Sequence, residues 1–231
     1  MIVERNVLIS LLKFTQNGTA LIEDVKNDTK LSGAVLKSLL GKLQSDDMLN
    51  LSRDFVKLET EDRLKLAVKA VSLGADIEAV SSHLDWQEFE SIAAAALRHN
   101  GYVVYQNLRF KHFGRKWEID VVGCRKPLVA CVDCKDWHRG AAPSVMRRIV
   151  EAQANRVNAL ADALPHSSLK LECTKWSLAT FVPIVMVLMQ GRFPFCENVP
   201  VVPVLKLQDF LHQLPLEMDS LRSFQKEFVH L

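Results

Sequence analysis

Two neighbouring stretches decide the fold of the second half of this chain: Trp117-Glu118-Ile119-Asp120-Val121-Val122 and Val129-Ala130-Cys131-Val132-Asp133-Cys134-Lys135. Each is a run of strand-forming residues that contains an aspartate. An ionised carboxylate in an apolar strand is costly unless a counter-charge, often a metal ion, compensates it. Because residues i and i+2 of a strand share a face, Asp133 and Lys135 should point the same way, and Asp120 on the next strand can face the same point. We therefore expect these three side chains to converge at one edge of the sheet.

The segments around these two strands predict an α/β (α+β) domain. Apolar residues recur at helical spacing from Trp86 to Leu97, and Asn100-Gly101 ends that helix. Short turns between the extended segments imply antiparallel neighbours, and a strand that follows a helical crossover should be parallel to the strand before it. The predicted strands are 102–110, 117–122, 128–135, 181–189 and 199–205, and the later helices are 144–164 and 207–214. This order describes a mixed β-sheet flanked by helices.

The first sixty residues predict three helices followed by a β-hairpin. A helical stripe covers 3–14, Thr19 is placed to cap a second helix, and Ser32 is placed to cap a third. Residues 48–58 alternate apolar and polar side chains, as two short strands joined by a turn would. A further helix, 62–73, ends at Gly74. We therefore predict two domains, 1–75 and 84–231.

The order of elements in the first domain resembles that of a winged-helix domain. In that family the third helix enters the DNA major groove and the hairpin contacts the backbone. The resemblance implies DNA contacts from five cations: Lys30, Lys37, Lys42, Arg53 and Lys57. The open alternative is that these are solvated charges on a protein-docking or dimerisation module, and a homodimer is therefore also an option.

The second domain resembles the PD-(D/E)XK nuclease superfamily, particularly Mrr-like restriction endonucleases and archaeal Holliday-junction resolvases. The resemblance rests first on Asp120, twelve intervening residues, and then Asp133-Cys134-Lys135. Trp86-Gln87-Glu88-Phe89-Glu90 and Gly101-Tyr102-Val103-Val104 also resemble the helix and strand that open those domains. Lys135-Asp136-Trp137 is similar to the continuation after their catalytic lysine. The resemblance covers about residues 84–211 and implies a restriction-endonuclease-like fold.

The resemblance also implies a catalytic site. Asp120, Asp133 and Glu90 would hold Mg²⁺, with Mn²⁺ as a substitute, because hard cations prefer carboxylate oxygens. Lys135 would orient the attacking water or stabilise the pentavalent phosphate, and Gln153 in the following helix matches the position of a polar helper. The alternative is a surface ion pair between Asp133 and Lys135 on an edge strand, with Asp120 in an unrelated turn.

Several charged residues near these strands are weaker candidates. Glu88 is rotated about 200° from Glu90 around their helix, so both glutamates cannot serve one site. Two basic loops, 111–116 and 136–139, flank the strands, and from them we expect phosphate contacts by Lys111, Arg115 and Arg139. The C-x-x-C spacing in 131–134 does not predict zinc, because residues three apart on a strand face opposite ways.

Composition narrows the class of protein without naming a substrate. Apolar residues make up 48% and charged residues 24%, as in ordinary globular proteins. The net charge of +2 neither requires nor excludes a polyanionic partner. Five cysteines in a chain of this size favour reduced thiols, and the sequence predicts neither a signal peptide nor a membrane span, so we expect a cytoplasmic protein.

From the sequence we therefore expect a Mg²⁺-dependent DNA endonuclease acting in restriction, repair or recombination. Two alternatives stay open: a non-catalytic DNA-binding regulator on a nuclease fold, and an RNA-processing endonuclease.

Overall fold

The computed structural model describes residues 2–76, 79–80, 82–135, 142–164, 169–188 and 194–228. The predicted fold class is confirmed: a helical N-terminal region with a small sheet precedes a mixed seven-stranded sheet flanked by helices. The chain divides into two compact units, of which the first ends at Glu88 and the second begins at Phe89. Arg139, one of the predicted DNA contacts, lies outside the described residues, as do Asp136 and Trp137.

The first unit contains four helices and a three-stranded antiparallel sheet among its described elements. Their bounds are α1 Ile2–Phe14, β1 Thr19–Leu21, α2 Ile22–Thr29, α3 Gly33–Ser45, β2 Asn50–Leu51, β3 Phe55–Lys57 and α4 Thr60–Ser72. The strand order is β1-β3-β2, with the predicted hairpin forming β2 and β3. The interior is formed by the apolar faces of the helices, such as Leu8, Leu11 and Leu40.

The predictions for the helix caps in this unit had different outcomes. Ser32 caps α3 as predicted, since its hydroxyl accepts a hydrogen bond from the backbone N–H of Val35 at 3.4 Å. Thr19 does not cap α2. It lies in β1, where it pairs with Lys57, and α2 follows Leu21 without a side-chain cap. A three-residue strand is too short to leave a period in the sequence, which is why the prediction was wrong.

A buried arginine explains why the first unit extends beyond residue 84. Arg63 on α4 is 3% exposed, and its Nε lies 2.6 Å from Oε1 of Glu88. The same guanidinium donates to the carbonyl of Leu12 at 2.9 Å and to the hydroxyl of Thr15 at 2.6 Å. A buried charge needs such partners. Glu88 therefore forms an ion pair with Arg63. This is consistent with the predicted rotation of about 200° between Glu88 and Glu90, which places the two glutamates on different sides of the helix.

The second unit is built on one sheet with the strand order β4-β5-β6-β7-β9-β8, and β10 pairs with β7 beside this path. Strands β4, β5 and β6 are antiparallel neighbours, and β6 and β7 are parallel, as the helical crossover predicted. The elements are α5 Trp86–His99, β4 Val103–His112, β5 Arg115–Arg125, β6 Leu128–Lys135, α6 Pro143–Ala163, β7 Leu178–Val187, β8 Phe195–Cys196, β9 Val199–Pro203, α7 Leu207–Glu217 and β10 Phe224–Glu227.

Strand β7 contains a proline although it lies inside the sheet. Its first residues, up to Phe181, pair with β10, and its last residues, from Val185, pair with β9. Pro183 falls between these two partners. Proline lacks a backbone N–H, and this is tolerated at Pro183 because neither β10 nor β9 pairs with β7 at that position. Sequence reasoning missed β10, because four residues of mixed polarity give no clear strand period.

Helices α5 and α6 cover opposite faces of the sheet. Val157 of α6 belongs to a buried core with Val129 and Cys131 of β6. Gly123 of β5 faces α5, where a Cβ atom at this position would lie only 2.7 Å from Cδ2 of Leu97. The glycine, which the sequence placed in a turn, instead lies within β5 and lets α5 approach the sheet closely.

Candidate active site

The site forms where the pairing of β5 with β6 ends and its pairing with β4 is interrupted at one position. The ladder between β5 and β6 ends at the pair Val121 and Val132. On the other side, pairing with β4 skips the position opposite Asp120, where Asn107 has a φ of 52°. Asparagine tolerates this left-handed conformation better than most residues. Beyond the end of the β5–β6 ladder, the Asp120 side chain takes the place of a backbone partner for β6. Its Oδ2 accepts a hydrogen bond from the backbone N–H of Cys134 at 2.8 Å.

Asp133 is buried next to this position and is compensated by two cations. It is 3% exposed. Lys135 Nζ lies 3.0 Å from its Oδ1 and 2.9 Å from its Oδ2, and the guanidinium of Arg156 donates to Oδ1 at 2.9 Å. The expectation that Asp133 and Lys135 share a side of β6 is therefore confirmed.

The predicted location of the site at an edge of the sheet is wrong: Asp133 and Lys135 lie at the end of β6, where its pairing with β5 stops. Strands β5 and β6 are both interior strands, and Lys135 is the last residue of β6. The alternative interpretation, a surface pair on an edge strand, is wrong, because Asp133 is buried and β6 lies between β5 and β7. Solvation alone does not explain a carboxylate at this position.

Helix α6 supplies the polar residues beside Asp133. Gln153 is fully buried, and its amide donates to the carbonyl of Cys131 in β6 at 2.9 Å. Its Oε1 accepts a hydrogen bond from Arg156 at 3.2 Å, and Arg156 in turn reaches Asp133. Gln153 thus connects the strand to the arginine. Sequence reasoning missed Arg156, although its position one turn after Gln153 placed both on one side of the helix.

Glu90 lies within electrostatic reach of the same strand. It is 5% exposed, on α5. The pKa of the Cys134 thiol is raised well above its usual value, first by burial and then by the negative charges of Asp120, Asp133 and Glu90. Three carboxylates therefore act electrostatically on Cys134 near the end of β6. The ligand role predicted for Glu90 stays a prediction.

The carboxylates of Asp120 and Asp133 provide some, but not all, of the features expected of a site for a small divalent cation. Burial, followed by the charge of Asp133, raises the pKa of Asp120, so the two acids repel each other when both are ionised. Asp133 Oδ2 is buried and receives no well-aligned hydrogen bond from a described residue, although Lys135 Nζ lies 2.9 Å from it. The described residues contain no group of three or more His, Cys, Asp or Glu side chains arranged to hold a metal. Two carboxylates are nevertheless the usual protein contribution to a Mg²⁺ site that also binds substrate phosphates.

The predicted nucleic-acid contacts on loops and helices are exposed. Lys111 and Arg115 lie near the turn between β4 and β5. In the first unit, all five predicted cations are exposed, and two of them form ion pairs: Lys42 with Glu4 at 3.6 Å and Lys57 with Glu59 at 2.7 Å. The others are Lys30, Lys37 and Arg53, for which the described part of the chain shows no ion pair.

Comparison with known families finds one match to part of the chain. The model of the nuclease-related domain matches residues 85–168. This segment contains every predicted catalytic residue: Glu90, Asp120, Asp133, Lys135 and Gln153. The match agrees with the predicted relation to nucleases over this segment, which is less than half of the chain.

Two solved structures are similar to the chain at low identity. One is Can2 from Sulfobacillus thermosulfidooxidans in complex with cyclic tetra-adenylate, with a TM-score of 0.39 and 13% identity, covering 92% of this chain and 50% of that chain. The other is protein VC1899 from Vibrio cholerae, with a TM-score of 0.38 and 12% identity, covering 94% of this chain and 53% of that chain. The chain thus spans about half the length of each. No curated protein matches.

Among the described residues, no helix combines the length and the apolar composition that crossing a bilayer requires.

The raised pKa of Asp120 predicts how substitution changes stability with pH. A carboxyl group whose pKa is higher in the folded state stabilises the fold below its unfolded pKa, near 3.8, and loses that contribution as pH rises through the folded pKa. Asp120→Asn keeps an acceptor for the Cys134 N–H and removes the ionisation. We expect the variant to gain stability relative to wild type, as a larger free energy of unfolding, at neutral pH and to gain less or none at acidic pH. Urea unfolding in EDTA at both pH values measures this.

The matched control for this prediction is Asp219→Asn, which changes an exposed aspartate of the second unit. It should change stability little, and equally at both pH values. A pH-independent effect of Asp120→Asn would contradict the burial and repulsion described for Asp120.

Proposed function

We propose that this chain is a metal-dependent endonuclease that hydrolyses phosphodiester bonds in DNA. One observation carries the proposal: Asp120 and Asp133 lie together at the end of β6, and Lys135 contacts Asp133 there. Buried acids beside a lysine, in a segment that matches the nuclease-related domain, are suited to phosphoryl chemistry. Such an activity would serve restriction, repair or recombination.

The residues have distinct roles in this proposal. Asp120 and Asp133 would hold Mg²⁺, or Mn²⁺ in its place, and Glu90 would complete the acidic set. When bound, the ion supplies positive charge to the phosphate and acidifies water. The ammonium group of Lys135 lies 2.9 Å from Asp133. In the proposed reaction it would move to the scissile phosphate, where it would stabilise negative charge or orient the attacking water. Arg156 would then remain as the partner of Asp133.

The first unit supports DNA as the substrate. Its order of elements, α1-β1-α2-α3-β2-β3, resembles that of a winged-helix domain. Lys37 on α3 and Arg53 in the turn between β2 and β3 are both exposed, at the positions where such domains contact phosphates. The proposal therefore keeps the two predicted domains, with 1–75 as the DNA-binding part and 84–231 as the nuclease.

The catalytic proposal predicts different defects for the lysine and the acids. Lys135→Ala should slow cleavage of plasmid DNA by about 100-fold or more while metal binding persists, because a lysine is no ligand for a cation. Its fold should survive, since Arg156 still compensates Asp133. Asp120→Asn and Asp133→Asn should lose both cleavage and metal binding, because an amide is a poorer ligand. Gel assays with Mg²⁺ and calorimetric titration with Mn²⁺ measure the two properties.

Lys175→Ala is the matched control for the lysine. It removes a lysine of the same unit that is paired with Glu172 at 2.7 Å, and it should cleave like wild type. Wild-type cleavage by Lys135→Ala would overturn the assignment. Metal-independent DNA binding without cleavage by the wild-type protein would indicate the regulator, and cleavage of RNA alone would indicate the RNA-processing enzyme.

The winged-helix proposal predicts a uniform loss of DNA affinity. Lys37→Ala and Arg53→Ala should weaken binding to all duplex sequences, and each lost phosphate contact should flatten the dependence of log affinity on log salt by about 0.9. The control is Lys65→Ala on α4, whose lysine is paired with Glu61 at 3.0 Å. Fluorescence anisotropy over a salt series in EDTA measures the slopes. Unchanged affinities and slopes would favour a protein-docking module.

A further inference from the structure

Strands β4 and β5 extend beyond the rest of the sheet as a two-stranded arm. Their pairing continues to His112 and Arg115, whereas β5 pairs with β6 only from Val121 onward. Residues 108–119 therefore form a projection, called here the hairpin arm, that begins next to Asp120. At about 3.4 Å per residue, the start of β5 lies roughly 17 Å from Asp120 along the strand. The arm thus extends from the end of the sheet at which the proposed catalytic residues lie.

The turn at the tip of the arm contains a residue that the fold does not favour. His112 and Arg115 pair directly, so Phe113 and Gly114 form a two-residue turn, with φ values of 46° and 74°. Turns with two positive φ values strongly prefer Asn-Gly. Phe113 is strained in this conformation, and it is 95% exposed. A large ring that violates both the turn preference and the burial preference indicates a functional contact.

The surroundings of Phe113 are basic and aromatic. The ring of His112 lies 4.2 Å from that of Phe113, centroid to centroid, and the guanidinium of Arg115 lies 4.0 Å above the ring of Trp117. A groove of about 1050 Å³ lies beside the arm. Its lining includes the cations Arg109, Lys111 and Lys116, and the carboxylates Glu118 and Asp162.

The charges that remain available in this groove are positive. Glu118 is paired with Arg109 at 3.0 Å, and Asp162 is paired with Lys226 at 3.1 Å. Lys111 and Lys116 form no ion pair within the described part of the chain. Two cations without ion pairs beside the exposed ring of Phe113 are complementary to a nucleic acid strand.

We propose that the hairpin arm binds single-stranded DNA, with an unpaired base stacked on Phe113 and with Lys111 and Lys116 on the phosphates. An exposed aromatic ring can stack only on a base whose face is accessible. Bases in a duplex are already stacked on their neighbours, whereas an unpaired base can offer a free face. The inference rests on the proposed nuclease function and narrows its substrate to DNA that contains an unpaired segment. A strand held by the arm would reach Asp120 along β5.

Binding in EDTA tests this inference separately from cleavage. Phe113→Asn in the full chain removes the ring and places a residue at the tip that favours positive φ, so folding is preserved. We expect it to weaken binding of a fluorescent oligothymidylate by about fivefold or more, the loss of one base–aromatic stack, with affinity for a blunt duplex unchanged. Phe113→Trp should retain single-strand binding. The control is Phe195→Asn, which removes another exposed phenylalanine of the same unit.

A base analogue reports on the stacking itself. The fluorescence of 2-aminopurine in a single strand should be quenched by wild type and by Phe195→Asn, but not by Phe113→Asn at saturating protein. Equal single-strand affinity and equal quenching in Phe113→Asn would overturn the inference, as would an equal loss of single-strand and duplex binding. A wild-type protein that stacks the base but never cuts DNA would contradict the proposed nuclease activity and leave the binding role of the arm intact.

Discussion

The burial of the Asp133 carboxylate in an interior strand is the constraint on which the site depends. An ionised acid in such a position needs compensating charge, and the protein supplies it from Lys135 on the same strand and from Arg156 on α6. Asp120 adds a second negative charge that the fold would be more stable without, since its pKa is raised by burial and by Asp133. Structural stability alone does not account for two acids placed so close together, whereas a cation shared between them would. Under the proposed function, Lys135 and Arg156 would compensate the charge of Asp133 until a metal ion and a phosphate bind.

Much of this arrangement follows from local periodicity, and that part could be predicted. The two-residue repeat of a strand placed Asp133 and Lys135 on one side, and the 3.6-residue repeat of a helix separated Glu88 from Glu90. The structure gives Glu88 a partner of its own, Arg63, and leaves Glu90 near the end of β6. The parallel arrangement of β6 and β7 followed from chain connectivity in the same way.

The features that were not predicted depend on contacts between elements far apart in the sequence. Asn107 matters because it lies opposite Asp120 on the neighbouring strand, and only the register of β4 against β5 defines that relation. Arg156 matters because α6 crosses the sheet at Asp133. The stacking role proposed for Phe113 depends on its exposure at the end of a projecting hairpin, and the sequence indicated only a basic loop there. Short strands such as β1 and β10 are defined by their partners and leave no period of their own.

Anomalous diffraction from a crystal soaked in Mn²⁺ tests the central claim most directly, because it locates the ion without requiring turnover. If Asp120 and Asp133 share a metal ion, a peak should appear within coordination distance of both carboxylates, with Lys135 or Arg156 displaced from at least one Asp133 oxygen. Absence of a peak there at a saturating Mn²⁺ concentration, with the ion bound elsewhere or not at all, would contradict it.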